Sequence, residues 1–211
     1  RVVFTHHHDE AAGGGVWFYQ RGAEVLSSVV TRDRLAKRRD ANGTLAVPEA
    51  LPDRTFPQTF RFRWGTHDVE LRPIAPAHTD GDVIAWFRPA NVVHVGALVR
   101  GDGYPLPDLE AGGSVAGTLA VIERLVAECD DRTLIVPTYG PAMDRRTLRE
   151  YATMLAAIRT RVLVQVRAGR SEDDVATSGL TGDYEPRWGR GPIQADRFLR
   201  LLYREVTSGR R

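Results

Sequence analysis

The N-terminal stretch of the chain reads RVVFTHHHDEAAGGG from Arg1 to Gly15. Val2 to Thr5 is β-branched and aromatic, which is typical of a strand, and the glycines predict a loop or the tight opening of a helix. Side chains two residues apart at a strand end point to the same side, so His6 and His8 can converge on one point. On spacing alone, a chance polar cluster at a strand end is an equally good interpretation.

A third histidine would complete a site if it came from a distant loop. His78 is the best candidate, because it lies in the short turn PAHTDGD, residues 76–82, between two predicted strands. Three histidines and one open position are the arrangement of a catalytic zinc ion, whereas a closed set of four ligands is structural. The sequence therefore predicts that His6, His8 and His78 bind one zinc ion.

The remaining patterns alternate between strands and helices. Ser114, Asp144 and Ser171 predict helix starts, and an amphipathic helix is predicted over 194–206. Strands are predicted over 24–28, 82–87, 91–99 and 133–136, a hairpin over 59–74, a charged helix over 31–39 and loops over 42–57 and 184–192. This mixture favours a mixed-sheet α/β or α+β domain with helices packed on sheets.

Four separate segments resemble motifs of the metallo-β-lactamase superfamily, in the order that the family has them. The stretch from Thr5 to Gly14 resembles T-H-x-H-x-D-H-x-x-G, and His78 to Asp82 resembles the later histidine motif. Residues 92–98 (VVHVGAL) resemble the strand that ends in G-D-L, and residues 137–141 (PTYGP) resemble the P-G-H-G-P turn. The resemblance covers nearly the whole chain, including the glycine-glycine-serine start of the helix at Ser114.

The resemblance implies a four-layer αβ/βα sandwich, with a metallo-β-lactamase-like domain over residues 1–168 and a C-terminal helical extension over 169–211 packed on it. It implies that His6, His8 and His78 hold the first metal ion. Members of the family have several strands before the first histidine motif. We therefore expect the N-terminal strands to be missing from this chain; they either lie outside this sequence, are cleaved off, or are supplied by a second chain or fragment.

The same resemblance implies that most of the second metal site is lost. Its ligand positions correspond to Glu10, Ala11, Ala97 and Tyr139. Alanine has no donor atom, and a single carboxylate holds a divalent ion poorly. We therefore expect at most one metal ion, and the two-metal mechanism of the family is not expected here.

Two of these positions are candidate catalytic residues. Glu10 is a candidate general base toward a water molecule, with a salt-bridged or solvated carboxylate as the alternative. The phenol of Tyr139 is a candidate hydrogen-bond donor to a developing oxyanion, and an aromatic ring that only fills a vacated site is the alternative. Asp80 and Asp82 are expected either to orient a ligand histidine or to cap the turn.

Two functions follow from these observations. The first is a single-zinc hydrolase acting on a small-molecule ester, thioester, lactone or amide, and the second is an inactive pseudoenzyme that serves as a binding or scaffold protein. A formal net charge of +2 argues against a nucleic-acid partner, and the basic residues 32–39 are interpreted as a solvated helix face. No apolar run approaches the roughly 20 residues of a membrane span, and the single Cys129 leaves the compartment open.

Overall fold

A computed structural model describes residues 1–39, 42–44 and 47–209 of the chain. They form two compact units. The N-terminal unit comprises Arg1–Ala75 and Asp80–Gly96, and the C-terminal unit comprises Pro76–Thr79 and Ala97–Arg211.

The N-terminal unit begins with a parallel three-stranded sheet. Its strands are β1 (Val2–Val3), β2 (Val25–Ser28) and β3 (Arg54–Phe56), in that order. The register pairs Val3 with Leu26 and Ser28 with Phe56. Three helices and a 3₁₀ turn lie between these strands: α1 (Asp9–Ala12), α2 (Gly15–Tyr19), α3 (Val29–Lys37) and the turn Pro48–Ala50.

Four antiparallel strands complete the N-terminal unit. They are β4 (Phe60–Trp64), β5 (His67–Pro73), β6 (Val83–Arg88) and β7 (Val92–His94). The predicted hairpin is confirmed, with Gly65 at a positive φ of 58° in its turn. Alternate residues of β5 and β6 form one core with residues of β2 and β3, because side chains two apart share a face. This core contains Leu26, Phe56, Val69, Leu71, Val83 and Ala85.

Strand β1 lies at the end of its sheet order. Beside it is a largely apolar cavity of about 380 Å³ that Val3, Phe62, Leu71, Phe87 and His94 help to line. A strand at a sheet edge and an open apolar face next to it are features that proteins normally cover. The expectation that a second chain or fragment supplies further strands to this sheet stays a prediction.

The C-terminal unit contains most of the helices. Its elements are α4 (Val115–Glu128), β8 (Leu134–Val136), α5 (Arg145–Arg167), α6 (Glu172–Ala176), α7 (Glu185–Trp188) and α8 (Ala195–Thr207). The side chains of Ser114 and Asp144 accept hydrogen bonds from Gly117 N–H and Thr147 N–H, as their N-cap positions predict. Ser171 and Asp174 form the predicted capping box. Among the described residues, no helix has the length and apolar character that crossing a bilayer requires.

Two predicted loops contain regular structure. The first, residues 42–57, contains the 3₁₀ turn and β3, and its residues 45 and 46 lie outside the described part. A three-residue strand is too short to carry a pattern, and β3 forms because β2 offers it a parallel partner. The second, residues 184–192, contains the single turn α7. The strand predicted over 91–99 ends at His94, and Gly96 follows with a positive φ of 58°.

Candidate metal site

The histidine motif follows directly from β1. Phe4 N–H donates to Leu26 C=O at 2.9 Å, and Thr5 C=O accepts from Val83 N–H at 2.8 Å, so the backbone is held on two sides. The chain then turns, and His8 is the N-cap residue of α1, where its backbone C=O accepts from Ala12 N–H at 2.9 Å. Because α1 starts at once, Glu10 is brought back toward the imidazole of His6.

His6 is buried, with 1% of its surface exposed. Burial, together with the neighbouring His8 and His7, lowers the pKa of His6 to about 3. Its imidazole is therefore neutral at physiological pH, which is the form that can bind a metal ion.

Both ring nitrogens of His6 have a partner. Thr5 Oγ1 lies 3.1 Å from Nδ1, and Glu10 Oε1 lies 3.2 Å from Nε2. When Nδ1 carries the proton and donates a hydrogen bond to Thr5 Oγ1, the lone pair of Nε2 is available to a metal ion. When Nε2 carries the proton, Nε2 donates to Glu10 instead. A metal-binding histidine usually donates its second ring N–H to a nearby oxygen, and Thr5 Oγ1 is such an oxygen for Nδ1 of His6.

His8 is less buried than His6 and lies beside the same carboxylate. Its Nδ1 is 3.8 Å from Glu10 Oε1, and its ring stands perpendicular to that of His6 at a centroid distance of 5.0 Å. Ligand atoms of His6, His8 and Glu10 all lie within 4.8 Å of one another. Two imidazole nitrogens and a carboxylate oxygen are donor types that zinc accepts, so these residues fit a zinc ion.

His78 belongs to the C-terminal unit, where its backbone is closely held. Its C=O accepts from Asp108 N–H at 2.8 Å, and Ala77 C=O accepts from Ser114 N–H at 2.8 Å. A Cβ atom at Gly113 would lie only 2.2 Å from His78 O, and one at Gly117 would lie 1.9 Å from Pro76 O. The glycines around the start of α4 are therefore needed for the chain to pack against the His78 turn, a role that sequence reasoning missed.

The residues that correspond to the family's second metal site lie on different elements of the structure. Ala11 is on α1, and Ala97 is buried at the start of the C-terminal unit. Tyr139 accepts from Gly101 N–H through its backbone C=O at 2.8 Å, and the guanidinium of Arg100 lies over its ring at 4.2 Å. Arg100 is itself paired with Asp102 through two bonds of 2.9 Å.

The aspartates that follow His78 belong to the N-terminal unit. Asp80 forms a two-bond ion pair with Arg34 of α3, at 2.6 and 2.7 Å. The backbone C=O of Asp82 accepts from Ile74 N–H at 3.0 Å. Arg34 is therefore paired at the surface, and Arg32, Lys37, Arg38 and Arg39 are exposed, in agreement with the interpretation of residues 32–39 as a solvated helix face.

Comparisons with known proteins agree with the family resemblance, although no family model matches the sequence. Metallo-beta-lactamase IND-1 of Chryseobacterium indologenes is 26% identical over 136 residues, which cover 64% of this chain and 53% of that protein. Metallo-beta-lactamase type 2 of Bacillus cereus is 26% identical over 147 residues, which cover 70% and 54%. The chain spans about half the length of the curated relatives it matches.

A solved structure shares the fold. The metallo-beta-lactamase from Pontibacter korlensis superposes with a TM-score of 0.60 at 23% identity, over 74% of this chain and 69% of that one. At this level of identity the likeness shows the fold, and the chemistry has to be argued from the residues of this chain.

Proposed function

Because the chain belongs to the metallo-β-lactamase superfamily and has its mixed α/β fold, we propose that it is a hydrolase that uses a single zinc ion. The three histidines that the family resemblance assigns to the first metal ion, His6, His8 and His78, would hold it. The substrate is a small-molecule ester, thioester, lactone or amide. The observation that carries this proposal is that ligand atoms of His6, His8 and Glu10 lie within 4.8 Å of one another. The imidazole of His6 among them is buried and neutral.

One ion is proposed because two of the four positions of the second site are alanines. Alanine at 11 and 97 offers no atom to a metal ion, and tyrosine at 139 stands where the family motif has histidine. A zinc ion with three histidine ligands and an open fourth position supplies Lewis acidity and lowers the pKa of water to about 7. No second ion is required for that chemistry.

The chain's own residues supply the proton transfer and the stabilisation of charge. The Glu10 carboxylate is the proposed general base, because it lies at the histidine cluster and is one-third exposed, so water reaches it. The Tyr139 hydroxyl is the proposed donor to the oxygen that becomes negative during hydrolysis. Arg100 above the Tyr139 ring holds that ring in place.

One observation favours the second candidate, a pseudoenzyme that binds without catalysis. Nε2 of His6 already has the carboxylate of Glu10 as a partner at 3.2 Å. In the tautomer that donates to Glu10, the cluster satisfies its own polar groups and needs no ion. Catalysis therefore has to be measured separately from metal binding.

Zinc-dependent hydrolysis tests the proposal. We expect the zinc-loaded chain to hydrolyse at least one of four chromogenic probes, an aryl ester, an aryl thioester, a lactone or an anilide, and to lose that activity in a chelator. Replacing Glu10 by glutamine removes the base, so we expect kcat to fall by about 10²- to 10⁴-fold. Glu49→Gln changes an exposed carboxylate of the 3₁₀ turn and is the matched control. Zinc binding without turnover of any probe would favour the pseudoenzyme.

A further inference from the structure

Helix α3 carries two arginines one turn apart, and each one holds a carboxylate of a histidine motif. Arg34 pairs with Asp80 through two bonds of 2.6 and 2.7 Å. Arg38, which ends the helix, pairs with Asp9 through two bonds of 2.5 and 2.7 Å. Asp9 stands between His8 and Glu10 in the sequence, and Asp80 follows His78 by two residues.

Arg34 lies in the last turn of α3 and Arg38 is its C-cap residue, so both guanidinium groups extend from the C-terminal end of this helix. A guanidinium that makes two parallel bonds to a carboxylate fixes the orientation of that carboxylate as well as its distance. Lysine cannot reproduce this geometry, because its ammonium group is a point charge. Each arginine therefore orients the backbone segment to which its aspartate belongs.

Residues at the start of α3 also bind the segment that follows His78. The hydroxyls of Ser28 and Thr31 both donate to the C=O of Gly81, at 2.7 and 2.9 Å. Both hydroxyl side chains are buried, and a Cβ atom at Gly81 would lie 2.6 Å from Thr31 Oγ1. The turn after His78 is thus tied to α3 by three side chains, Ser28, Thr31 and Arg34.

We propose that Arg34 and Arg38 are positioning residues: they orient the backbone at Asp80 and Asp9, the segments that follow His78 and His8 in the sequence, and thereby set the affinity for the metal ion. The inference rests on the proposed metal site, and it assigns a role to residues outside that site. All four side chains are partly exposed, with Arg34 and Asp80 each about one-third exposed and Arg38 and Asp9 more so. Ion pairs of this kind contribute little to the stability of the fold, so an effect on the metal site can be separated from unfolding.

The test is a cobalt(II) titration of purified variants, with the visible absorption of the bound ion as the signal. Arg34→Gln and Arg38→Gln are each expected to weaken cobalt affinity by about 2- to 5-fold, because each loses one partly exposed ion pair worth about 0–1 kcal/mol. Arg34→Lys is expected not to restore affinity, because it keeps the charge and loses the two-bond geometry. Arg32→Gln is the matched control, since Arg32 lies on the same helix and donates to Pro52 C=O.

A second signal is independent of the metal. In the metal-free chain, we expect the imidazole ¹⁵N shifts of His8 to change in Arg38→Gln and to stay as in the unaltered chain in Arg32→Gln. Thermal melts of all variants establish that each one folds. If the unaltered chain binds no cobalt, the proposed function and this inference both fail. If the unaltered chain binds cobalt and the Arg34 and Arg38 variants bind it equally well, or if Arg32→Gln weakens binding as much as they do, this inference alone fails.

Discussion

We expect His78→Ala to lose about 100-fold or more in zinc affinity. Zinc held by four protein ligands in small domains has an apparent binding free energy of about 10–16 kcal/mol, or roughly 3 kcal/mol per ligand. Removing His78 leaves His6 and His8 with the carboxylate of Glu10, all from one short segment of the N-terminal unit. The measurement is a competition titration of zinc against a chelator of known affinity.

His67→Ala is the matched control for that titration. His67 is an exposed histidine at the start of β5, so its removal changes the histidine content without touching either motif. We expect this variant to bind zinc as the unaltered chain does. Unchanged zinc affinity in His78→Ala would show that the third ligand has been assigned wrongly. The family resemblance at residues 78–82 would then not identify a metal ligand.

The second large effect concerns stability and lies in the C-terminal unit. Glu205 of α8 is fully buried, and its carboxylate accepts from Val115 N–H at 2.6 Å and Ala116 N–H at 3.1 Å. It also accepts from Arg159 of α5 at 3.2 Å. The Glu205 carboxylate therefore accepts hydrogen bonds from the first backbone N–H groups of α4 and pairs with the positive charge of Arg159 on α5.

Replacing Glu205 by alanine is expected to lower the free energy of unfolding by about 3–5 kcal/mol, because removing one partner of a buried pair leaves the other uncompensated. Urea denaturation measures the loss. Arg204→Gln is the matched control, since Arg204 is the neighbouring residue on α8 and pairs with Glu172 at the surface, where about 0–1 kcal/mol is expected. A loss below 1 kcal/mol in Glu205→Ala would mean that α4 does not depend on this contact.

The parts of the fold that depend on local sequence could be predicted. Ser114, Asp144 and Ser171 mark helix starts because a side-chain oxygen binds a backbone N–H three residues on, a relation contained in the sequence itself. The strand β3 could not be predicted. Its three residues form a strand only because β2 lies beside them, which is a tertiary contact.

In the candidate site, too, some features could be predicted from the sequence and others could not. His6, His8 and His78 were predicted as ligands from spacing and motif order, and this stays a prediction. The contact of Glu10 with His6 depends on the turn between β1 and α1. The support around them was not predicted. The pairs of Arg34 with Asp80 and Arg38 with Asp9 join residues 46 and 29 positions apart, and the close approach of Gly113 to His78 joins two loops. Contacts over such separations leave no periodic signal in a single sequence.

We propose that this chain binds one metal ion, at His6, His8 and His78, and none at the positions that correspond to the family's second metal site. The most direct test is the zinc content of the purified chain after saturation with zinc and removal of free metal, measured by atomic emission against protein concentration. We predict one zinc ion per chain, lost when His6, His8 or His78 is replaced by alanine. A chain that holds no zinc, or one that holds two ions, would contradict the account.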